Sequence, residues 1–362
     1  MAEDVLFEIG AEEIPAGAMP GILAQLKSLT ETKLQEHHLK YEVIRTMGTP
    51  RRITLMVDGA ADMSEELSER HKGPSAAIAY DADGNPTKAA IGFARGKGLD
   101  VADLVVEDGY IYAETKTAGV KAMDIFTQIL PELIHGLSFP KSMHWGDLDD
   151  KFIRPVRWIL ALLGTAVIPV EFAGVRSSNF SRGHRFLGER GVLVQHPADY
   201  IKNLEDNFVI VDQDKRRDMI SKQLHDLADS KNATIVWDDD LLEEVLYLVE
   251  YPTALCGTFD ESYLALPDAA VITPMKDHQR YFPLVSKDGK LLPMFLTVRN
   301  GDSHSLDVVT AGNERVLRAR LDDAKFFFNE DRKKALADRS EGLKKIVFQE
   351  GLGNLADKLN VY

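Results

Sequence analysis

Hydrophobic and polar positions recur along the chain with two periods, and each period predicts an element type. The run Val5-Leu6-Phe7-Glu8-Ile9, closed by Gly10, is β-rich and predicts a strand. Ile22, Leu23, Leu26, Leu29 and Leu34 then return at helical spacing, with Lys27, Glu31, Lys33 and Glu36 on the wet side. Residues 52–57 predict a second strand. The stretch 64–88 is polar and rich in Gly, Pro and Ala, which predicts a loop, and 89–97 predicts a short helix stopped by Gly98. Leu104-Val105-Val106 and Tyr110-Ile111-Tyr112 flank Asp108-Gly109, the pattern of a hairpin on a tight turn.

Further along, residues 122–137, 199–204, 215–228 and 241–249 predict helices, the last ending at Tyr251-Pro252 because the residue before proline resists the α region. Residues 167–172, 192–194 and 208–211 predict strands, and 281–292 a second hairpin turning on Asp288-Gly289. From Asn313 onward the pattern is helical and densely charged. It is still unfinished at Tyr362, as expected of a boundary inside a longer protein or of a naturally terminal helix. Short strands and helices without regular βαβ alternation favour an α+β fold of mixed, short-stranded sheets with packed helices, ending in a helical segment. The expected division is 1–140, 141–310 and 311–362.

Composition changes this picture little. A chain of 362 residues exceeds one typical core, and 44% hydrophobic with 28% charged residues is ordinary for a folded protein. No apolar run approaches the ~20 residues that cross a bilayer. The first nine residues carry acids and no basic residue, unlike a secretory leader. The single cysteine, Cys256, excludes an internal disulfide and a Cys-rich zinc site and suits a reducing, cytoplasmic setting. The net charge of −14 argues against coating nucleic acid by bulk electrostatics, yet leaves room for a local basic face.

The candidate chemistry is correspondingly local. No phosphate loop, dinucleotide fingerprint, HExxH, GxSxG or CxxC is present, so no catalytic residue and no metal ligand set is assigned. Glu12-Glu13 reads either as an ammonium or metal site or as favourable charge at a helix start. Thr49-Pro50-Arg51-Arg52 and Arg154-Pro155-Val156-Arg157-Trp158 hold arginines in proline-stiffened contexts, which suit phosphate. Met143-His144-Trp145 places a further aromatic and an imidazole nearby for stacking on unpaired bases; core tryptophans flanked by surface arginines are the structural alternative. Arg95 and Lys97 stand between glycines, either near a phosphate or at a solvated helix end. Arg182 and Arg185 flank His184 in the compact basic stretch 181–186. Asp277, His278 and Arg280 precede a strand and either line a small-molecule pocket or hold the strand entry. Phe326-Phe327-Phe328 cannot all face inward from one helix, so at least one ring is expected to pack on another domain or subunit.

Taken in order, these segments resemble the beta-subunit family of the heterotetrameric glycine–tRNA ligase. The stretches that carry the resemblance are 7–15, 49–52, 92–96, 143–146 with 152–158, 183–186, 274–282 and 312–324. The resemblance implies that an alpha subunit holds the class II active site and consumes ATP and Mg2+ in an alpha2beta2 assembly. The beta chain would need no cofactor of its own and would bind tRNA(Gly). It also implies a B3/B4-like module, which is an editing domain in the beta subunit of phenylalanine–tRNA ligase, followed by an HD-like region and an anticodon-binding domain beyond this chain. Arg51, Arg52, Arg95, Lys97, Arg154, Arg157, Arg182 and Arg185 are then the expected tRNA contacts. Two other roles stay open: a hydrolase of mischarged tRNA built on Asp277, His278 and Arg280, and an assembly module that makes no tRNA contact.

Overall fold

The computed structural model describes residues 2–81 and 83–359. Two compact units divide the chain: 1–183 with 189–207, and 184–188 with 208–362. In unit 1 the chain runs β1 (Glu3–Ala11), α1 (Met19–Glu36), β2 (Val43–Thr49), β3 (Arg52–Ala60), β4 (Leu67–Ser75), α2 (Ala76–Ala79), α3 (Lys88–Gly96), β5 (Val105–Glu107) and β6 (Tyr110–Thr117). It continues through α4 (Ala122–Gly136), β7 (Val156–Leu163), β8 (Ala166–Val167), β9 (Glu171–Phe172), β10 (Val175–Ser178), β11 (Phe180–Ser181), β12 (Val192–Leu193) and α5 (Tyr200–Glu205).

The main sheet has the order β2-β3-β1-β7-β10-β9, with β8 folding back on β7. It is antiparallel except where β10 lies parallel to β7. Because β1 and β7 are central, both bury nearly every residue, which is why each is a near-continuous apolar run. The helices α1 and α4 pack together, and α4 buries Ile125, Phe126, Ile129, Leu130, Leu133 and Ile134. Gly48 of β2 faces the Met19 and Leu23 side chains of α1, where a Cβ would stand 2.8 Å from the Met19 sulfur. A smaller sheet, β4-β6-β5, buries Ile111 and Ala113 against Ala79, Ala90 and Ala94.

Unit 2 is built from α6 (Gln213–Ser230), β13 (Thr234–Ile235), α7 (Asp239–Leu246), β14 (Pro252–Thr258), α8 (Asp268–Thr273), β15 (Phe282–Val285), β16 (Leu291–Asn300), α9 (Leu306–Arg332) and α10 (Leu355–Leu359). Its antiparallel sheet has the order β13-β15-β16-β14. Tyr281 and Phe295 stack at 4.4 Å in a core shared with Tyr263, Val271, Met275, Leu317 and Leu321. Gly257 admits the Phe295 ring, since a Cβ there would lie 2.3 Å from its Cζ.

The α+β class and its mixed short-stranded sheets are as the pattern implies. Both Asp-Gly turns form: Asp108 and Gly109 take φ of 48° and 76°, and Gly289 takes 79°. Four local expectations are corrected. Residues 67–75 form strand β4 rather than loop, because β6 supplies a full partner from Leu67↔Thr117 to Ser75↔Tyr110. Residues 208–211 form no strand: Phe208 turns with φ of 60°, and Ile210 N–H donates to the Glu250 carbonyl at 2.8 Å. The 167–172 strand is two short ones interrupted at Pro169, which has no N–H to donate. The charged helical run breaks after Arg332 into a 3-10 stretch, Ala337–Lys345, before α10.

Candidate functional site

Strand periodicity puts Gly10, Arg52 and Trp158 directly opposite one another on β1, β3 and β7, and Glu8 with Thr54 one step back on the same face. A Cβ on Gly10 would lie 1.9 Å from Trp158 Cε2, so only glycine lets the indole lie across β1. That placement brings Trp158 Nε1 onto Glu8 Oε1 as a donor. Glu8 is fully buried and collects further donors: Ser181 Oγ at 2.7 Å from Oε1, and Tyr200 Oη at 2.5 Å from Oε2. Arg52, also fully buried, sets its Nε 3.6 Å from Glu8 Oε2. Burial and the adjacent Glu8 charge raise the Tyr200 phenol well above its ordinary value, so it stays protonated and donates. Thr54 Oγ1, 2.8 Å from Tyr200 Oη, must then be the donor in that pair.

This buried hub holds an arginine cluster. The guanidinium groups of Arg51, Arg52 and Arg182 lie 5.4, 5.4 and 4.8 Å from the Trp158 ring centroid. Arg52 donates to the Arg182 carbonyl, and Arg182 Nη2 donates to the Arg157 carbonyl at 3.2 Å. Arg157 is 49% exposed and pairs with Glu12 at 2.7 Å, so Glu12 serves an ion pair; α1 starts only at Met19. Arg154, half-buried just before β7, donates to the Ile153 carbonyl at 2.8 Å. Burial lowers the Arg182 guanidinium below its ordinary value and the positive charge of Arg157 adds to the effect; Glu12 opposes it, and Arg52 and Arg190 contribute less in the lowering direction. The site carries excess positive charge.

The eight expected contacts are therefore unequal. Arg182 reaches solvent beside the Trp158 ring and Arg157 next to it, and Arg154 reaches solvent just before β7, whereas Arg51 and Arg52 are buried and Arg52 supports the others. Arg190, which sequence reasoning missed, joins through its charge on Arg182. Arg95 is exposed in the last turn of α3 and Lys97 is its C-cap residue, next to Gly98 at φ of 69°. Carbonyls, not N–H groups, point outward there, so these cations have no backbone anion cradle beside them. Arg185 is exposed on the 184–188 loop of unit 2. The aromatic ring that the arginines meet is Trp158; Trp145 is half-buried and His144 exposed.

In unit 2 a cavity of about 300 Å³ is lined by Asp238, Asp240, Leu241, Glu244, Lys276, Asp277 and Arg280. Asp277 and Arg280 are thus brought together, while His278 is exposed outside the lining. Both cations are engaged: Lys276 holds the Asp238 carboxyl below the usual range, and Arg280 Nε lies 2.7 Å from Glu244. The segment Pro274–His278 is a single π-turn, and Arg280 follows it with φ of 59°.

An α+β chain of two units that carries a braced, cationic arginine face defines a candidate anion- or nucleic-acid-binding protein. Its kinship is specific: the profile of the family described as "Glycyl-tRNA synthetase beta subunit" matches residues 5–361, and the chain belongs to that family. It is 47% identical to the glycine–tRNA ligase beta subunit of Desulforamulus reducens over 99% of this chain and 52% of that protein. It is 48% identical to those of Clostridioides difficile and Moorella thermoacetica, again over 99% of this chain and 52% of each relative. The chain spans about half the length of the curated relatives it matches.

Proposed function

We propose that this chain is the tRNA-gripping, alpha-docking part of a cytoplasmic glycine–tRNA ligase, and that it takes no part in forming the adenylate. On this reading the alpha subunit supplies the active site with its ATP and Mg2+. The beta chain contributes positively charged surface to tRNA(Gly) and brings no cofactor of its own. The observation that carries the reading is the arginine cluster on Trp158, fixed from below by Glu8, Arg52, Ser181 and Tyr200. A guanidinium held in place loses less entropy on meeting a phosphate than one on a free side chain. Docking on alpha is supported by Phe326 and Phe327, which are 58% and 63% exposed near the end of α9. The hydrolase reading finds less support, because the unit 2 cavity lacks His278 and its cations are neutralised by Asp238 and Glu244.

The test is titration of the chain with tRNA(Gly) and, separately, with the alpha subunit, each at two salt concentrations. The proposal expects tRNA binding that weakens steeply with salt and alpha binding that does not. Tight alpha binding with no measurable tRNA affinity would establish a pure assembly module instead.

A further inference from the structure

Phe186 is 84% exposed, the second most exposed of the large hydrophobic side chains among the described residues, yet it does not sit on a slack loop. His184, two residues earlier, is buried, and its Nε2 lies 3.1 Å from Asn300 Oδ1. That same oxygen accepts from the backbone N–H of Glu250 at 2.9 Å and of Tyr251 at 3.2 Å. A carboxamide oxygen only accepts, so Nε2 carries the proton of a neutral ring, and Nδ1 is left to accept from the Phe186 N–H at 3.4 Å. Gly188 N–H closes the tip by donating to the His184 carbonyl at 2.9 Å. The loop is thus pinned at its root by a buried imidazole and tied across its tip, and it presents one aromatic ring to water beside the exposed Arg185.

A pinned, protruding ring next to a guanidinium suits a flat apolar partner that also carries negative charge. An unpaired nucleotide has both, a π-face for the ring and a phosphate for the cation. The surrounding sequence favours that occupant over an apolar protein surface: residues 181–190 hold three arginines, Arg182, Arg185 and Arg190, against the single acid Glu189. We infer that Phe186 is a stacking residue for an unpaired base of the bound RNA, with Arg185 on the adjoining phosphate. This inference rests on the tRNA-binding reading and adds to it a residue that acts through its ring, not its charge.

The experiment measures tRNA(Gly) affinity against salt for the wild-type chain and for the Phe186→Ala and Phe186→Trp variants. The exposed position leaves the core untouched in both. Phe186→Ala should weaken binding roughly 5- to 100-fold, the range expected for one lost base stack, with an unchanged salt slope because no charge is removed. Phe186→Trp should keep wild-type affinity, and its added emission, above that of the three native tryptophans, should be quenched by tRNA and by a short single-stranded RNA but not by a blunt RNA duplex. Unchanged affinity in Phe186→Ala while Arg157→Ala and Arg182→Ala weaken binding would overturn this inference and leave the tRNA reading standing. Emission that responds to the alpha subunit and not to RNA would overturn it in favour of a protein contact. A wild-type chain that fails to bind tRNA would overturn both.

Discussion

Arg52 and Arg280 each stand beside a carboxylate, 3.6 Å from Glu8 in unit 1 and 2.7 Å from Glu244 in unit 2, and the closer pair is the weaker device. Glu8 and Arg52 are both wholly excluded from water, whereas Arg280 and Glu244 keep 33% and 38% of their side-chain surface exposed. Water and salt screen the second pair, so its attraction is small and its charges cancel locally. In the first, the carboxylate is consumed by Trp158, Ser181 and Tyr200 as well as Arg52, and the cations around it remain in excess. Burial turns one acid into a fixed anchor for several arginines. The same residue types at a rim yield a neutral pocket.

The sharpest way to break this contrast is Glu8→Ala. It leaves a buried guanidinium and three donors without their acceptor, and equilibrium denaturation should show a loss of about 3–5 kcal/mol. Gly10→Ala comes next. Its methyl must displace the Trp158 indole, at a cost of about 1–3 kcal/mol, and tryptophan emission should move with it. If Gly10→Ala were neutral, the cross-strand row Gly10–Arg52–Trp158 would not be what seats the indole.

A smaller, pH-dependent effect belongs to unit 2. Tyr263 and Tyr281 are both pushed up to about 12, in each case chiefly by burial and for Tyr263 also by its hydrogen bond to Asp322. Their stabilising contribution is whole below the unfolded phenol value near 10 and is lost as pH climbs through about 12. The denaturation midpoint should fall over that window, and Tyr281→Phe should flatten the fall. The smallest effect is expected of Lys276→Ala and Arg280→Ala, each within about 1 kcal/mol, as rim pairs usually are.

Sequence patterning read the locally encoded parts of this fold well. Asp108-Gly109 announces its hairpin because few other residue pairs take two successive positive φ values. The helices α1, α4 and α6 follow from their apolar spacing. Strand β7 is not legible in the sequence, because a run such as Val156–Leu163 has no period that separates buried strand from buried helix. Strand β4 escaped because its polar face becomes a strand only when β6 pairs with it. The site was legible as arginine-rich segments, but not as a site. Glu8 and Tyr200 are 192 residues apart, and nothing local marks Glu8 as buried. Hence Arg52 looked like a surface cation, and Arg190 went unnoticed.

The central claim is that the Trp158 face presents usable positive charge and the unit 2 cavity does not. The direct test compares the salt dependence of tRNA(Gly) binding for two double variants, Arg157→Ala with Arg182→Ala, and Lys276→Ala with Arg280→Ala. The first pair should weaken binding and reduce the slope of log affinity against log salt by about two, near one per lost phosphate contact, while the second leaves both unchanged. An unchanged slope in the first pair, or a reduced slope in the second, would contradict the account.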